Sequence, residues 1–156
     1  QLAEYGTKII ERRKKFIDEV NRIIGGIHEK LTGGRENIEL SYESSAGELS
    51  MEEMLRKNRE RDIRFKSTSA GPHRDDLCFR VGDLDIRKFG SQGQQRTAAL
   101  SLKLSEIELV KMLIHDTPIL LLDDVLSELD KTGRIICWTA FMISRLSLHV
   151  QVWMNL

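Results

Sequence analysis

Apolar residues recur every three or four positions along the first thirty residues, the spacing of one face of an α-helix. They are Leu2, Tyr5, Ile9, Phe16, Val20, Ile23, Ile24 and Ile27. Charged residues at 11–15 separate them and Gly33-Gly34 follows, so the pattern predicts a long amphipathic helix that ends at the glycines. Such a helix either packs on its own chain or binds a partner helix, as in a coiled coil.

Alternation of apolar and polar residues predicts β structure in two places. Residues 37–44 alternate and predict a half-buried strand, and residues 77–81 predict a second strand after a turn at Gly71-Pro72. Gly82-Asp83 then predicts a hairpin turn, with a return strand made by Leu84, Ile86 and Arg87. Between the strands, Ser50–Glu53 has the pattern of a capping box and predicts a short helix through Met54 and Leu55.

The second half of the chain has the alternating order of an α/β protein. A loop with small residues, Gly90 to Gly93, precedes a helix predicted from about Gln94 to His115, with Ala98, Leu102, Ile107, Leu109, Val110, Leu113 and Ile114 as its apolar residues. Thr117-Pro118 breaks that helix. The apolar run 119–122 then predicts a buried parallel strand that leads into Asp123-Asp124.

Composition limits the class of protein. The 156 residues are enough for one domain with a core, and 40% hydrophobic with 31% charged residues is typical of neither a disordered chain nor a membrane protein. The net charge is zero, so any binding to an anionic partner must come from a local patch. Two distant cysteines, Cys78 and Cys137, make neither a disulfide framework nor a zinc pattern and suit a reducing cytosol.

One local patch is strongly basic. It comprises Arg56, Lys57, Arg59, Arg61, Arg64 and Lys66. It forms either a solvated helix face or a surface that contacts the phosphate backbone of DNA.

Two motifs have the residue types of a nucleotide site. Ligands bind at the carboxyl ends of parallel strands, so Asp123 would hold Mg²⁺ and Asp124 would act on the attacking water, although Asp124 also suits a helix N-cap. The loop 90–93 precedes a helix, whose N-terminus attracts anions. Ser91 adds a hydroxyl there, and the alternative is an ordinary capped loop.

Three segments in this order resemble the RecF family of bacterial recombination-repair ATPases, a branch of the ABC-type and SMC-like ATPases. They are 71–77 (GPHRDDL), 90–97 (GSQGQQRT) and 122–130 (LDDVLSELD). Ser91 to Gln94 resembles the signature loop, with Gln92 where most such proteins have a second glycine. Residues 119–124 resemble Walker B and Ser127 to Asp130 the D-loop. Gln92, and the lack of a long heptad array, make another SMC-like member the weaker interpretation.

The resemblance implies a fold. The chain would be an α/β fragment of a P-loop, ABC-type ATPase head with a helical and β second lobe. Residues 1–88 would be the second-lobe helix, strand, basic helix and hairpin. Residues 89–131 would hold the signature loop and its helix, the Walker B strand and the D-loop, and residues 132–156 an atypical tail.

The resemblance also implies a function. Such proteins bind ATP with Mg²⁺ and dimerise around it, so Ser91, Gln92, Gly93 and Gln94, with Ser127 and Asp130, would contact ATP held by the other subunit. The family binds DNA at junctions of single and double strands in gaps. It acts with RecO and RecR in loading RecA, and so contributes to the SOS response and replication in the bacterial cytoplasm. No membrane is implied.

The chain contains no Gly-x-x-x-x-Gly-Lys-Ser/Thr phosphate loop. By itself it is therefore expected not to hydrolyse ATP, and its start at Gln1 is expected of a piece of a longer protein. The alternative function is a non-catalytic half-head that binds DNA or protein and pairs with another chain.

The tail 132–156 differs from the rest in charge. Arg134 and Arg145 are its only Lys, Arg, Asp or Glu residues, and it holds both tryptophans. One interpretation is a buried helix and strand. The other is a frameshift, because with suitable codons the neighbouring frame encodes a sequence that resembles the family after the D-loop.

Overall fold

The computed structural model of the chain describes residues 1–114 and the backbone of residues 120–122 and 148–150. This part of the chain contains three long helices, one short helix and several short strands. No helix in this described part is both long enough and apolar enough to cross a membrane.

Helix α1 spans Leu2–Thr32, as predicted, and ends where Gly33 adopts a left-handed conformation with φ of 66°. Only its second half packs into the core, through buried residues that begin at Ile17. The apolar positions continue through the first half of the helix, but there Leu2 and Tyr5 are more than 60% exposed. The reason is the length of the helix: its first turns extend past the core. The contacts there include Gly6 with Met51 of α2 and Arg13 with the Pro72 carbonyl.

The three-stranded antiparallel sheet has the order β1-β2-β3. Strand β1 is Ile38–Glu43, β2 is Asp76–Val81 and β3 is Leu84–Asp85, with Leu40 opposite Phe79 across the first pair. Ile38 and Leu40 point into the core, which confirms the alternation predicted for β1.

Helix α2 spans Met51–Phe65 between β1 and β2. Both hydrogen bonds of the predicted capping box are present: the Ser50 side chain accepts from the Glu53 N–H, and the Glu53 carboxylate accepts from the Ser50 N–H. The helix is longer than the short one predicted, so the whole basic stretch from Arg56 to Arg64 is helical.

The predicted return strand through Ile86 and Arg87 is wrong. After Asp85 the chain turns into a short helix, α3 (Ile86–Phe89), because the Asp85 carboxylate accepts a hydrogen bond from the Arg87 N–H and caps it. Ile86 is thereby buried in the core and is not paired in the sheet.

Helix α4 spans Gln92–Ile114 and packs along α1. It begins two residues before the predicted start. Its buried face is also more polar than predicted, because Ser101 and Ser105 are fully buried on it, whereas Leu113 and Ile114 are more than half exposed. The shared core joins α1, β1, α3 and α4, through Ile17, Val20, Ile24, Ile38, Leu40, Ile86, Ala98 and Leu109.

Strand β4 (Leu120–Leu122) pairs in parallel with β5 (Leu148–Val150), which confirms the predicted parallel strand. Asp123, Asp124, Ser127 and Asp130 lie outside the described residues, as does most of the tail.

Candidate functional site

The first turn of α4 is closed by a reciprocal pair of hydrogen bonds. Ser91 Oγ accepts from the Gln94 N–H at 3.2 Å, and Gln94 Oε1 accepts from the Ser91 N–H at 2.9 Å. This is the Ser-x-x-Gln form of the capping box. Ser91 therefore caps α4, as the alternative of an ordinary capped loop predicted. Its hydroxyl hydrogen is not used by the cap and can be donated to a ligand.

The open side of this turn consists of Gln92 and Gly93. Both are exposed, and neither N–H donates to another residue in the part of the chain that the structure describes. Apart from its chain neighbours and its own helix backbone, the nearest described atom to a Cβ at Gly93 would be Ser91 Oγ, at 3.9 Å. Unpaired N–H groups at the positive end of a helix, with free space before them, suit an anion.

Gly90 serves a different purpose from Gly93. A Cβ at Gly90 would lie 2.5 Å from the carbonyl oxygen of Ile86, so only glycine lets the chain pass this close to α3. The Gln95 side chain also holds this segment, donating from Nε2 to carbonyl oxygens of Ile86, Arg87 and Gly90 at 3.2–3.3 Å. The approach to Ser91 is thus fixed by packing within the chain.

Behind the turn, α4 contacts residues near the end of α1. Gln94 Nε2 donates to Glu36 Oε1 at 2.9 Å, and His28 Nε2 lies 3.4 Å from Glu36 Oε2. His28 is completely buried, and its Nδ1 lies 2.8 Å from Ser101 Oγ.

Burial lowers the pKa of His28 from its ordinary value of 6.5, and the neighbouring Glu36 only partly opposes this. The Ser101 hydroxyl donates to the Thr97 carbonyl at 2.8 Å, and the same hydroxyl oxygen lies 2.8 Å from His28 Nδ1. At 3.4 Å, with no hydrogen bond at Nε2, the contact with Glu36 is mainly electrostatic. Because Ser101 and His28 are both fully buried, no substrate reaches this Ser–His–Glu arrangement.

Known proteins resemble this chain closely in sequence. It is 61% identical over 134 residues to the DNA replication and repair protein RecF of Lachnospira eligens, and 58% identical over 130 residues to that of Agathobacter rectalis. These matches cover 86% and 83% of the chain. Over these residues the chain belongs to the RecF family. No protein-family model matches it.

Solved RecF structures share the fold. The structure of the recombination mediator protein RecF-ATP in the RecFOR pathway superposes with a TM-score of 0.76 at 32% identity, covering 99% of the chain and 44% of that protein. The RecF-ATPrS structure of the same pathway gives 0.75 at 33% identity. The chain spans 37% and 36% of the lengths of the two RecF relatives, so it corresponds to a part of such a protein. The predicted α/β fragment and the predicted resemblance are confirmed.

In the segment 71–77, one of the three that resemble the RecF family, residues 71–74 form a hydrogen-bonded turn and Asp76 begins β2. The Asp75 carboxylate accepts from the Tyr42 hydroxyl, and from both the N–H and the hydroxyl of Ser45 at 2.7 and 2.6 Å. Arg13 of α1 donates to the carbonyl of Pro72 next to it. Asp75 thus joins the end of β1 to the start of β2.

Two further residues of this segment, His73 and Arg74, form hydrogen bonds with residues that are close to them in the sequence. His73 Nε2 donates to the Thr68 carbonyl at 3.1 Å, and Arg74 lies 3.4 Å from the Ser67 hydroxyl. Asp76, at the start of β2, pairs with Arg87 of α3 at 2.6 Å and so links this segment to the helix that precedes Ser91.

The six basic residues, Arg56, Lys57, Arg59, Arg61, Arg64 and Lys66, are all exposed on α2 or at its C-cap. Arg56 pairs with Glu52 one turn earlier, at 2.7 Å. Lys57, Arg61 and Arg64 follow at steps of four and three, so they lie on one helix face. Within the described residues, no three His, Cys, Asp or Glu side chains come close enough together to hold a metal ion.

Sequence reasoning missed Glu36 and His28. Ser91 and Gln94 have the spacing of a capping box, so the cap itself could have been found in the sequence. The partner of Gln94 could not, because Glu36 lies 58 residues away and nothing local points to it.

Proposed function

We propose that this chain forms the signature side of a composite ATP site in a RecF-family DNA replication and repair protein. Ser91, Gln92, Gly93 and Gln94 would face the γ-phosphate of ATP held by the phosphate loop of a second subunit. The observation that carries the proposal is the open, capped start of α4, where Gly93 has no side chain and two N–H groups donate to no described residue.

The chemistry of this turn fits a phosphate oxygen. The N–H groups of Gln92 and Gly93 and the Ser91 hydroxyl are donors at the positive end of the α4 dipole. Among the described residues, no carboxylate accepts a hydrogen bond from them. The solved RecF neighbours, described as RecF-ATP and RecF-ATPrS, support ATP as the ligand.

The proposal extends to residues outside the described part of the chain. By the resemblance, Asp123 would bind Mg²⁺, and Asp124 would orient and deprotonate the attacking water. Ser127 and Asp130 would complete the interface with the second subunit. Mg²⁺ would neutralise charge on the phosphates.

The chain mixed with intact RecF of Lachnospira eligens tests the ATP site, since the intact relative can supply the phosphate loop. We expect ATP-dependent association, and Ser91→Arg should weaken it by about tenfold or more, because a bulky cation would fill the phosphate position and remove the cap. Analytical ultracentrifugation with and without ATP measures it.

Ser50→Arg is the matched control, because it removes the equivalent cap of α2 away from the site. It should leave the association unchanged. Equal weakening by both substitutions, or association that does not depend on ATP, would contradict the proposed site.

We further propose that α2 contacts the DNA backbone through Lys57, Arg61 and Arg64. All three are exposed on one helix face, and no described acidic side chain forms an ion pair with them. Charges of this kind release counterions from DNA, so their contribution to binding falls with salt.

Reversing two of these charges tests the DNA surface. Lys57→Glu with Arg61→Glu should weaken binding to a gapped duplex by about tenfold at low salt and flatten its salt dependence. Fluorescence anisotropy over a salt series measures both. Lys14→Glu with Lys15→Glu, on exposed positions of α1, makes the same charge change elsewhere, and equal loss in both pairs would refute a specific surface.

The RecFOR pathway named for the solved neighbours supports a wider proposal. The intact protein would dimerise with ATP at gap junctions, act with RecO and RecR in loading RecA, and contribute to the SOS response and replication in the cytoplasm. Copurification of RecR and RecO with the ATP-loaded assembly on gapped DNA is the measurement that decides these partners.

A further inference from the structure

Glu36 lies where the chain leaves α1 and returns toward α4. Gly33 and Gly34 both have positive φ, 66° and 75°, which reverses the chain after α1. Arg35 Nε donates to the Thr32 carbonyl at 2.8 Å and holds the reversed segment on the helix end. The Glu36 side chain is thereby brought against the first turn of α4, with only 24% of it exposed.

A continuous series of contacts runs from this glutamate to the phosphate-facing turn. Glu36 Oε1 accepts from Gln94 Nε2 at 2.9 Å, and Gln94 Oε1 accepts from the Ser91 N–H at 2.9 Å. On its other side, Glu36 Oε2 lies 3.4 Å from the buried His28, which contacts Ser101 of α4. The glutamate therefore contacts both long helices.

We propose that Glu36 is a positioning residue for Ser91, acting through Gln94. A glutamine side chain has a donor end and an acceptor end of nearly equal shape, and only the acceptor end can accept from the Ser91 N–H. A carboxylate that accepts from Nε2 forces the oxygen of Gln94 toward Ser91. Without Glu36, the side-chain amide of Gln94 is free to rotate, and its hydrogen bond with the Ser91 N–H weakens.

His28 contacts Glu36 on the side away from Gln94. Its ring is fully buried between α1 and α4, held by Ser101, and presents Nε2 to the second carboxylate oxygen. The end of α1 is thus packed against α4 at His28 and Ser101. The effect on ATP binding rests on the function proposed above, whereas the effect on the Ser91 turn does not.

Four variants of the 156-residue chain test the contact. Glu36→Ala removes the acceptor, and Glu36→Gln keeps an oxygen that can accept from Gln94. Gln94→Glu sets two carboxylates against each other while preserving an acceptor for Ser91. The double variant Glu36→Gln with Gln94→Glu restores a donor and an acceptor with their roles exchanged.

The readouts are the exchange rate of the Ser91 amide proton with water, by NMR, and the ATP-dependent association with intact RecF of Lachnospira eligens. Glu36→Ala should speed Ser91 exchange by about tenfold, the equivalent of one hydrogen bond, and weaken association. Glu36→Gln should stay within about twofold of the original chain. The double variant should recover most of what Gln94→Glu loses.

Each outcome decides the proposal. Unchanged Ser91 exchange in Glu36→Ala overturns it, as does a double variant no better than Gln94→Glu. If Glu36→Ala fails to fold, the exchange of roles in the double variant still decides whether the two side chains act on Ser91 together. If the original chain does not associate with intact RecF at all, the ATP proposal fails, while the exchange rates still judge the positioning role.

Discussion

Ile24→Ala is expected to lower the free energy of unfolding by about 3 kcal/mol, within the usual range for removing a buried aliphatic side chain. Ile24 is fully buried at the centre of the core shared by α1, β1 and α4. Alanine leaves a cavity between these elements, and the close-packed surroundings relax only partly. Urea unfolding followed by circular dichroism measures the change.

Ile9→Ala is the matched control for this prediction. It makes the same substitution on the same helix, but Ile9 is 45% exposed. We expect a change of less than about 1 kcal/mol, because little apolar area returns to water. Similar losses for Ile9 and Ile24 would mean that the two halves of α1 are equally buried, contrary to the structure.

Asp75→Ala is expected to cost about 2–3 kcal/mol of unfolding free energy. The substitution leaves the Tyr42 hydroxyl and both donors of Ser45 without their acceptor in a partly buried turn. Unpaired donors in such a place lose their hydrogen bonds with little return from water. The same unfolding titration measures it, with Asp18→Ala, an exposed aspartate of α1, as the control.

The cost of Asp75→Ala should also depend on pH. Burial raises the pKa of Asp75, but hydrogen bonds from Ser45 and Tyr42, with the nearby Arg13, outweigh it and hold the pKa below its ordinary 3.8. A carboxyl with a lowered pKa stabilises the fold above 3.8 and loses this contribution as the pH falls through the folded value. The difference between the original chain and Asp75→Ala should therefore shrink below pH 3.8. A difference that stays constant into acid would show that the carboxylate charge contributes nothing.

The sequence by itself determined the features that depend on neighbouring residues. The period of the apolar positions and the two glycines predicted α1 and its end, because helix termination is settled by the conformations of a few adjacent residues. The Ser50 capping box and strand β1 followed in the same way. The three motifs were also enough to identify the RecF resemblance.

Local patterns failed where a nearby polar group competed with them. Ile86 fits a hairpin strand by alternation, yet the Asp85 carboxylate caps a helix there. Gln92 and Gly93 fit a loop by composition, yet Ser91 and Gln94 cap the helix before them. In both places the sequence contains the capping residues. It does not show whether the cap outweighs the strand alternation in one case or the loop composition in the other.

Only the tertiary structure decided which distant residues meet. The apolar positions recur along the whole of α1, but in the structure the hydrophobic core includes this helix only from Ile17 onward. The contacts of Glu36 with Gln94 and of Ser45 with Asp75 join residues 58 and 30 positions apart. A sequence pattern records neighbours along the chain, whereas these pairings arise when α1, α4 and the sheet pack around a common core, so no local signal could have predicted them.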